Sequence, residues 1–424
     1  MDALIGKTLS YSLSKIIHEQ LTNKPYALIE TDNLERTLAS SRFHAINITN
    51  PYKRQAAAYC QNLDPSAKQT GVVNTMIKHK TGFVGYNTDV YAIKALFRSR
   101  FPLSMPVSII GNGATAASIK AAFMALGHRH VRCYARKPRG EDYPLNALYD
   151  GENTGILIHA TPVGTAPHLD EKPVIDLEKL SRVSYVFDVV YNPYRTALLR
   201  DAKMVGIPHM NGLMMLVLQA VAAHKIATNN HIDEAMVKSL YDNVLRRFIN
   251  RVLVGMPGVG KSALALALAK QLNQAVFDSD VTIQAISGLS VPSFINRYGE
   301  EKFRKQEYKA ISKISVHQGV VIASGGGVIE SSLNMNLLKA QGLIIYIKAD
   351  GLPSDTLLNE SRPLLKNASA WESLHQKRQS YYERYADIVI DYTNDPQSLL
   401  NLCEVKVDEY LNSQRPEFKL IGHS

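Results

Sequence analysis

The same succession of apolar and polar segments occurs twice along the chain. In each, a short apolar run rich in β-branched residues is followed by a glycine loop and an alanine-rich helical pattern. The apolar runs are Val107 to Ile110 and Arg251 to Val254, and the loops begin at Gly111 and Gly255. A strand, a glycine loop and a helix in this order open a βαβ unit. We therefore predict that both halves are α/β with largely parallel sheets.

Weaker patterns complete the outline of the chain. Candidate strands occupy Ala45 to Ile48 and Val72 to Ile77, and another runs from about His130 to Tyr134. Residues Asp233 to Leu245 form an amphipathic helical pattern that ends a few residues before Arg251. The linker between the two halves is therefore predicted to be very short.

Composition indicates a globular protein without a membrane span. The chain has 424 residues, of which 46% are hydrophobic and 20% charged. Its longest apolar stretches, such as Leu213 to Ala223, are shorter than the roughly 20 residues that cross a bilayer. The N-terminus lacks the basic and apolar regions of a signal peptide, which predicts a cytoplasmic location. Three cysteines far apart favour neither a disulfide framework nor a zinc cluster.

The charge balance favours small anionic substrates. The formal net charge is +10, but the basic residues are scattered and form no Lys/Arg-rich block. A nucleic-acid-binding protein would concentrate them on one segment or face. We therefore predict no nucleic-acid partner.

The second glycine loop matches the phosphate-binding pattern GxxxxGK[ST]. Backbone N–H groups of such a loop close around phosphate oxygens, a lysine supplies charge to the outer phosphates, and a hydroxyl can bind Mg²⁺. The residues predicted to bind ATP in this way are Gly255, Gly258, Val259, Gly260, Lys261 and Ser262. Ser262 is also a predicted Mg²⁺ ligand.

Downstream segments resemble the shikimate kinase family in both type and order. They are Phe277 to Asp280, Gly299 to Arg304 with Glu307, Gly325 to Gly327, Arg362 to Leu365, and Arg378 followed by Tyr381 and Ala386. The resemblance covers about residues 250 to 410 and implies a P-loop kinase domain with a central parallel sheet.

That resemblance implies roles for individual residues. Asp278 would help to hold Mg²⁺, and Asp280 would orient or deprotonate the attacking hydroxyl of shikimate. Arg304 and Arg378 would grip the substrate carboxylate, since a planar guanidinium fork suits a carboxylate. The turn at Gly325, Gly326 and Gly327 would press against the substrate ring, and Arg362 would close a lid over the phosphates.

Simpler explanations exist for these residues taken singly. Asp278 and Asp280 also fit turn or cap residues, and Arg304 with Glu307 also fits an ion pair on a helix. The stretch Leu352 to Ser361 has no arginine, although the lid of this family often carries one near the adenine.

The first glycine loop is a less specific signal. Gly111, Gly113 and Ala114 lack the third glycine of the dinucleotide-binding pattern GxGxxG. The next predicted strand is followed by Arg136 and Lys137, where an NAD enzyme would place an acid. Basic residues there favour the 2′-phosphate of NADP, although they also fit surface residues after a strand.

The surrounding segments resemble the shikimate dehydrogenase family over about residues 3 to 245. They are Ser12 to Ser14, Asn47 to Lys53, Val73 to Thr75, Gly85 to Asp89, Ala160 to Gly164, Asp188 to Leu199, and Gly212 to Gln219. The resemblance implies a substrate domain followed by a Rossmann domain that binds NADP.

The same resemblance implies that Lys53 and Asp89 flank the reacting ketone. The carboxylate would fix the ammonium, which protonates the developing alkoxide. Substrate hydroxyl and carboxylate groups would be recognised by Ser12, Ser14, Thr49, Asn74, Tyr191 and Gln219. Thr161 and Gly212 would join the glycine loop in binding the cofactor. Taken singly, Asp89 also fits a helix cap and Lys53 a surface lysine.

The chain departs from the dehydrogenase pattern at several positions. Tyr11 and Lys15 stand where the family usually has histidine and proline. His159 replaces the usual asparagine, and Thr165 replaces a methionine. These changes flank the implied substrate and nicotinamide positions.

The resemblances together imply a fused enzyme with consecutive reactions. NADPH would reduce 3-dehydroshikimate to shikimate, and ATP would phosphorylate shikimate to shikimate 3-phosphate. The predicted domains are residues 1–100 for dehydrogenase substrate binding (completed by about 212–245), 101–211 for NADP, 250–412 for the kinase, and a mobile tail at 413–424. Alternatives are a non-catalytic ligand-binding module in front of an active kinase, and a dehydrogenase that prefers quinate. No oligomeric state is predicted.

Overall fold

The computed structural model describes residues 1–9, 12–39, 43–150, 155–169, 171–351 and 368–420. The chain divides into two compact units, one of Met1–Val244 with Pro416–Ser424 and the other of Leu245–Arg415. The division falls within a single helix, Glu234–Phe248. A strand begins at Asn250, so helix and strand are joined without a flexible spacer, as the short predicted linker required.

The first sheet of unit one is mixed. Its strand order is β2-β1-β3-β5-β6-β4. Its strands are β1 Asp2–Gly6, β2 Tyr26–Glu30, β3 Ala45–Ile48, β4 Asn62–Leu63, β5 Thr75–His79 and β6 Gly82–Tyr86. β3, β5 and β6 pair antiparallel, because a short turn joins β5 to β6, whereas β1 pairs parallel with β2 and β3. The prediction of largely parallel strands therefore does not extend to the β3–β5–β6 part of this sheet.

The predicted strand at Ala45 to Ile48 is confirmed, but the one at Val72 to Ile77 begins later, at Thr75. Val72 and Val73 are fully buried. The N–H of Val73 bonds to the carbonyl of Lys53, outside the sheet, at 2.8 Å. The apolar pattern thus marked burial correctly, while the hydrogen-bond partner decided where the strand begins.

The second sheet of unit one is parallel in every described pairing. Its strand order is β12-β11-β10-β7-β8-β9. Its strands are β7 Val107–Ile110, β8 Val131–Ala135, β9 Tyr143–Pro144, β10 Ile156–His159, β11 Tyr185–Asp188 and β12 His209–Met210. The order reverses between β7 and β10, and ligands of doubly wound sheets bind at such a switch point, outside the carboxyl ends of the strands.

Unit two contains a parallel sheet with the order β14-β15-β13-β16-β17. Its strands are β13 Asn250–Gly255, β14 Val276–Asp278, β15 Val321–Ala323, β16 Gly342–Lys348 and β17 Ile388–Asp391. The carboxyl ends of the adjacent β13, β14 and β15 lead into Gly255, Asp278 and the Gly325–Gly327 turn, so this edge of the sheet gathers the predicted site.

Helices cover the sheets. In unit one they are α1 Ser14–Thr22, α2 Leu34–Leu38, α3 Pro65–Thr70, α4 Thr88–Phe97, α5 Ala114–Ala125, α6 Ala197–Met204, α7 Leu213–Thr228 and the shared α8 Glu234–Phe248. In unit two they are α9 Lys261–Leu272, α10 Ser279–Ser287, α11 Val291–Tyr298, α12 Glu300–Ser315, α13 Ser332–Gln341, α14 Ala368–Tyr385 and α15 Pro396–Ser413. Short 3₁₀ turns lie at Gln55–Tyr59, Leu145–Tyr149, Leu177–Lys179 and Val328–Glu330.

The apolar stretch Leu213 to Ala223 belongs to α7, which packs against α4 and α1. A helix that is apolar on all faces is stable when other elements surround it. Across the described ranges, no helix combines the length and the hydropathy that a bilayer crossing demands.

Within the predicted mobile tail at 413–424, residues 416–420 pack against unit one, while residues 421–424 lie outside the described part of the chain. Phe418 is only 7% exposed. The N–H of Lys419 bonds to the carbonyl of Ala95 at 2.9 Å, and that of Leu420 to Glu234 at 3.2 Å. Polar composition suggested a tail, but a single aromatic side chain and these backbone bonds hold residues 416–420 against unit one.

Candidate active sites

A cleft of about 600 Å³ lies at the carboxyl ends of strands in unit one. It receives residues from the loop after β3, the switch point of the second sheet and the start of α7. The residues predicted for dehydrogenase catalysis and substrate recognition all line it: Ser12, Ser14, Thr49, Lys53, Asn74, Asp89, Tyr191 and Gln219. Side chains up to 207 positions apart in the sequence thus line the same cleft.

Lys53 and Asp89 form a shielded ion pair in this cleft. The Lys53 Nζ lies 2.7 Å from the Asp89 Oδ2, and the side chains are 15% and 6% exposed. Asp89 lies in the first turn of α4, where the helix dipole favours a negative charge. Asn87 occupies the N-cap position, so Asp89 is not the helix cap that its Asn-Thr-Asp context also suggested.

Asn74 connects this pair to the substrate-domain core. Its Nδ2 donates to Asp89 Oδ1 at 2.9 Å, while its Oδ1 accepts from the backbone N–H of Thr88 at 2.7 Å. The hydroxyl of Thr75 contacts Asn74 Oδ1 and accepts from the amide of Asn47. Thr75 and Asn47 were not predicted as supports for the site. Asn47 stood within the recognised segment, but a buried role carries no signal of its own in the sequence.

Tyr191 is held as a hydrogen-bond donor at neutral pH. Burial raises the pKa of its hydroxyl, although bonds with the Leu13 backbone and the Ser12 side chain oppose that shift. Gln219 donates to the carbonyl of Leu216 at 2.9 Å, and its Oε1 lies 3.4 Å from the Thr88 hydroxyl. The cleft therefore presents neutral donors and acceptors beside one ion pair.

The first glycine loop turns at the switch point. Gly111 has a φ of +117°, and a Cβ there would lie 3.0 Å from the carbonyl oxygen of Ala160. A Cβ on Gly113 would meet nothing within 4 Å, which leaves open space over the N-terminus of α5 at Ala114. This is where a pyrophosphate fits a helix N-terminus.

Arg136 and Lys137 are exposed directly after β8. Asn112 of the glycine loop ties their segment down, because its amide donates to the carbonyl of Lys137 at 3.0 Å and to Asp142 at 2.9 Å. The two basic residues therefore stand beside the loop rather than within the cleft lining.

Thr161, Thr165 and Gly212, which the sequence associated with the cofactor, also line the cleft. His159, where the family usually has asparagine, is fully buried and bonds through Nδ1 to Asp188 at 2.9 Å, while its Nε2 contacts the Thr161 hydroxyl. It thus joins the ends of β10 and β11 behind the cleft. Of the other departures, Lys15 is exposed and Tyr11 lies outside the described residues.

The second site surrounds the glycine loop of unit two. Gly255, Gly258 and Gly260 have φ angles of +151°, +98° and +77°, which other residues rarely adopt. The Val259 side chain is fully buried, and α9 begins at Lys261. Lys261 Nζ donates to the carbonyls of Gly255 and Met256, both at 2.9 Å. The Lys261 side chain therefore lies against the loop with which it is predicted to bind the phosphates of ATP.

Ser262 and Asp278 meet beside this loop. The Ser262 hydroxyl lies 2.9 Å from Asp278 Oδ2. Asp278 Oδ1 caps α10 by accepting from the N–H groups of Asp280 and Val281. The cap and the contact with Ser262 use different oxygens, so the cap explanation is confirmed, and the Mg²⁺ role of Asp278 stays a prediction.

Asp280 faces the glycine turn after β15. A Cβ on Gly325 would lie 2.7 Å from Asp280 Oδ1. Asp280 is exposed as a residue, but protein atoms crowd its carboxyl. This desolvation, followed by the charge of Asp278, raises the pKa of Asp280. A carboxylate with a raised pKa is a better proton acceptor than an ordinary aspartate.

Arg304 and Arg378 converge on the same turn from α12 and α14. A Cβ on Gly327 would lie 2.8 Å from Arg304 Nη1 and 3.0 Å from Arg378 Nη2. Arg304 also forms the helical ion pair with Glu307, at 3.1 Å. Arg362 lies outside the described residues, as does Leu352 to Ser361.

Sequence reasoning missed three residues that support this site. Glu330 binds both arginines, Tyr382 donates to the carbonyl of Gly326 at 2.7 Å, and the Trp371 indole donates to the carbonyl of Pro257 at 3.3 Å. Glu330 stands three residues after the glycine turn, but that position alone does not mark it as a partner of two arginines. Trp371 is the single tryptophan of the chain, but nothing in its sequence context points to a phosphate loop.

Comparisons with known proteins match each unit to a different family. The family model for shikimate kinase matches residues 257–412, and the model for the shikimate dehydrogenase substrate binding domain matches residues 4–76. The chain thus combines a region similar to shikimate dehydrogenases with a domain similar to shikimate kinases. The expectation of a fusion is thereby confirmed.

Curated relatives extend the dehydrogenase match beyond the substrate domain. The NADP(+) shikimate dehydrogenases of Methanococcus maripaludis and Chlorobium phaeobacteroides are each 29% identical to this chain. The alignments cover 55% and 57% of this chain, and 94% and 96% of the relatives. The dehydrogenase region is therefore matched over nearly the full length of those enzymes.

Solved structures agree on the fold of this region. Shikimate dehydrogenase 1 from Peptoclostridium difficile is 25% identical with a TM-score of 0.53, covering 57% of this chain and 97% of that one. The Thermus thermophilus enzyme solved with NADP(H) and shikimate is also 25% identical, with a TM-score of 0.51, covering 57% and 98%. The α/β fold predicted from the sequence is confirmed.

Proposed function

We propose that this chain catalyses consecutive reactions: NADPH-dependent reduction of 3-dehydroshikimate to shikimate, and ATP-dependent phosphorylation of shikimate to shikimate 3-phosphate. The observation that carries the proposal is the coexistence of the Lys53–Asp89 pair in one cleft with, in the other unit, a phosphate-binding loop beside the glycine turn on which two arginines converge. The family matches of the two units support the same assignment.

In the dehydrogenase unit, Lys53 acts as the proton donor. Its ammonium is held by Asp89, which is itself held by Asn74, so the donor cannot turn away from the cleft. NADPH supplies the hydride, and the loop of Gly111 and Gly113 fits its pyrophosphate. As charge develops on the carbonyl oxygen of the substrate, Lys53 transfers a proton to it. Arg136 and Lys137 provide charge for the 2′-phosphate.

In the kinase unit, Asp280 accepts a proton from the attacking hydroxyl of shikimate. Its raised pKa matches that task. Arg304 and Arg378 bind the carboxylate, and the Gly325–Gly327 turn allows the ring to approach the backbone. Lys261 and the loop N–H groups bind the phosphates of ATP. The Ser262 hydroxyl with the Asp278 carboxylate fits Mg²⁺, which neutralises phosphate charge when bound. Arg362 is proposed as the lid residue.

The proposed location is the cytoplasm, where both NADPH and ATP are available.

Paired substitutions test whether the two sites act independently. We expect Lys53→Ala to lower shikimate-dependent NADP reduction by about 10²- to 10⁴-fold and leave phosphorylation unchanged, and Lys261→Ala to do the reverse. Lys68→Ala and Lys270→Ala, exposed lysines of the same units, are the controls. Loss of both activities in either folded variant would contradict separate sites.

The same assays distinguish the alternatives. Folded wild-type chain that phosphorylates shikimate but does not oxidise it would identify unit one as a ligand-binding module. Faster turnover of quinate than of shikimate by unit one would instead assign it to quinate.

A further inference from the structure

Glu330 lies between the arginines proposed to hold the substrate carboxylate. It ends the 3₁₀ turn Val328–Glu330 that directly follows the glycine turn. Its Oε1 accepts from Arg378 Nε at 2.7 Å, and its Oε2 accepts from Arg304 Nη2 at 3.2 Å. One carboxylate thus joins side chains that come from different helices, α12 and α14.

Glu330 carries its charge at neutral pH. Partial burial opposes ionisation, but the hydrogen bond and charge of Arg378, together with the charge of Arg304, outweigh burial and lower the pKa of Glu330. Guanidinium groups stay protonated inside proteins, so two of them held near one turn repel each other unless an anion lies between them. Glu330 supplies that anion from within the protein.

The two arginines are held in different ways. Arg304 Nη1 donates to Glu307 and to the carbonyl of Gly327, and Nη2 donates to Glu300 and Glu330. Both of its terminal nitrogens are therefore already engaged by the protein. Arg378 is held by Glu330 at Nε, on the side of the guanidinium, so that its Nη1 and Nη2 edge faces Gly326 and Gly327.

We propose that Glu330 is a positioning residue for substrate recognition: it fixes the distance between Arg304 and Arg378 and turns the terminal edge of Arg378 toward the substrate carboxylate. This rests on the proposed kinase function. A carboxylate is bound best by two parallel N–H donors, and such a fork must be fixed in orientation before the ligand arrives. Binding at Nε leaves the Nη1 and Nη2 edge of Arg378, which also interacts with the Tyr382 hydroxyl, directed at the glycine turn for that contact.

Glu330→Gln tests the proposal, because the amide keeps the shape but loses the charge and has a single acceptor oxygen. We expect the KM for shikimate in the kinase reaction to rise about tenfold or more, with kcat and the KM for ATP within about twofold of wild type. Glu301→Gln is the matched control: Glu301 is 85% exposed on α12 and pairs with Lys305, away from the turn. Its kinetic constants should not change.

A second measurement separates positioning from a general effect on folding. Methyl shikimate has the same ring but no carboxylate charge. If Glu330 orients the carboxylate grip, the preference of the kinase for shikimate over methyl shikimate should fall about tenfold in Glu330→Gln. Should that variant fail to fold, Glu330→Asp keeps the charge on a shorter side chain, and the same preference should fall by less.

Three outcomes of these experiments would each refute one of the proposals. A wild-type chain that does not phosphorylate shikimate refutes the kinase function itself. An active wild type with an unchanged shikimate KM in Glu330→Gln refutes the role of Glu330. Equal loss of affinity for shikimate and methyl shikimate also refutes it, because it would show that the substitution disturbs the pocket without selecting for the carboxylate.

Discussion

At the scale of residues, both sites depend on carboxylates whose two oxygens do different things. Asp89 holds Lys53 with one oxygen and Asn74 with the other. Asp278 caps α10 with one and meets Ser262 with the other. Each group is therefore fixed by the fold while one oxygen remains directed into the site, which is how a flexible side chain is held in a reactive orientation.

The raised pKa of Asp280 predicts the pH dependence of the kinase. A proton acceptor works in its ionised form, so kcat/KM for shikimate should increase as pH rises through the pKa of Asp280. Because that pKa lies above the ordinary aspartate value, the acidic limb should lie at higher pH than for an unperturbed carboxyl. The measurement is the pH profile of phosphorylation at saturating ATP and Mg²⁺.

Asp280→Asn supplies the comparison for that profile. We expect it to lose this acidic limb and about 10²- to 10⁴-fold in rate, while dehydrogenase activity in the same sample stays normal. A variant with the wild-type rate and profile would exclude Asp280 as the acceptor.

At the scale of elements, close approaches of helices and strand ends build the clefts. Gly212 precedes α7, and a Cβ there would lie 2.0 Å from the carbonyl oxygen of Val189, just beyond β11. Its φ of −77° is available to any residue, so glycine is needed here for space alone. The first turn of α7 carries Met215 and Leu216 into the lining of the cleft.

Gly212→Ala should therefore destabilise unit one through steric overlap. We expect the free energy of unfolding of unit one to fall by about 2 kcal/mol or more, because the backbone at Gly212 or at Val189 cannot move without displacing a buried element. Gly206→Ala is the control: its φ is +74° and its Cβ would meet nothing within 4 Å, so it should cost only about 1 kcal/mol of backbone strain. Thermal unfolding, with the unit-one transition identified by its shift with NADPH, measures both; equal costs would refute the steric explanation.

At the scale of the whole molecule, the chain leaves unit one within α8 and returns to it after α15. The returning segment buries Phe418 and adds backbone bonds from Lys419 and Leu420. The kinase domain is thus inserted between parts of the sequence that belong to the dehydrogenase unit.

Truncation after Arg415 should destabilise the unit that the segment packs on. Without the segment, the apolar surface that Phe418 covers becomes exposed to water. We therefore expect the free energy of unfolding of unit one to fall by about 2 kcal/mol, with unfolding of unit two unchanged. Calorimetry that resolves the transitions can measure this, and Glu417→Ala, at an exposed position of the same segment, should leave both transitions in place. An unshifted unit-one transition in the truncated chain would show that the segment contributes no stability.

The local chemistry of this protein can be predicted from its sequence. The order of strand, glycine loop and helix was readable at both Gly111 and Gly255, because positive φ angles, apolar runs and helix starts are properties of adjacent residues. The family resemblances supplied the residues that now line the cleft of unit one. Strand Ala45–Ile48 and strand Val107–Ile110 have the predicted bounds.

The distant groups that support those sites are identified by the packing of the fold. Nothing local marks Glu330 as the partner of two arginines, His159 as the partner of Asp188, or Phe418 as part of unit one. Each of these roles depends on which element packs beside another, and packing is set by long-range burial and hydrogen bonding rather than by neighbours in the chain. From the sequence alone, a charged or aromatic side chain whose partner is distant in the chain is assigned to the surface or to a tail.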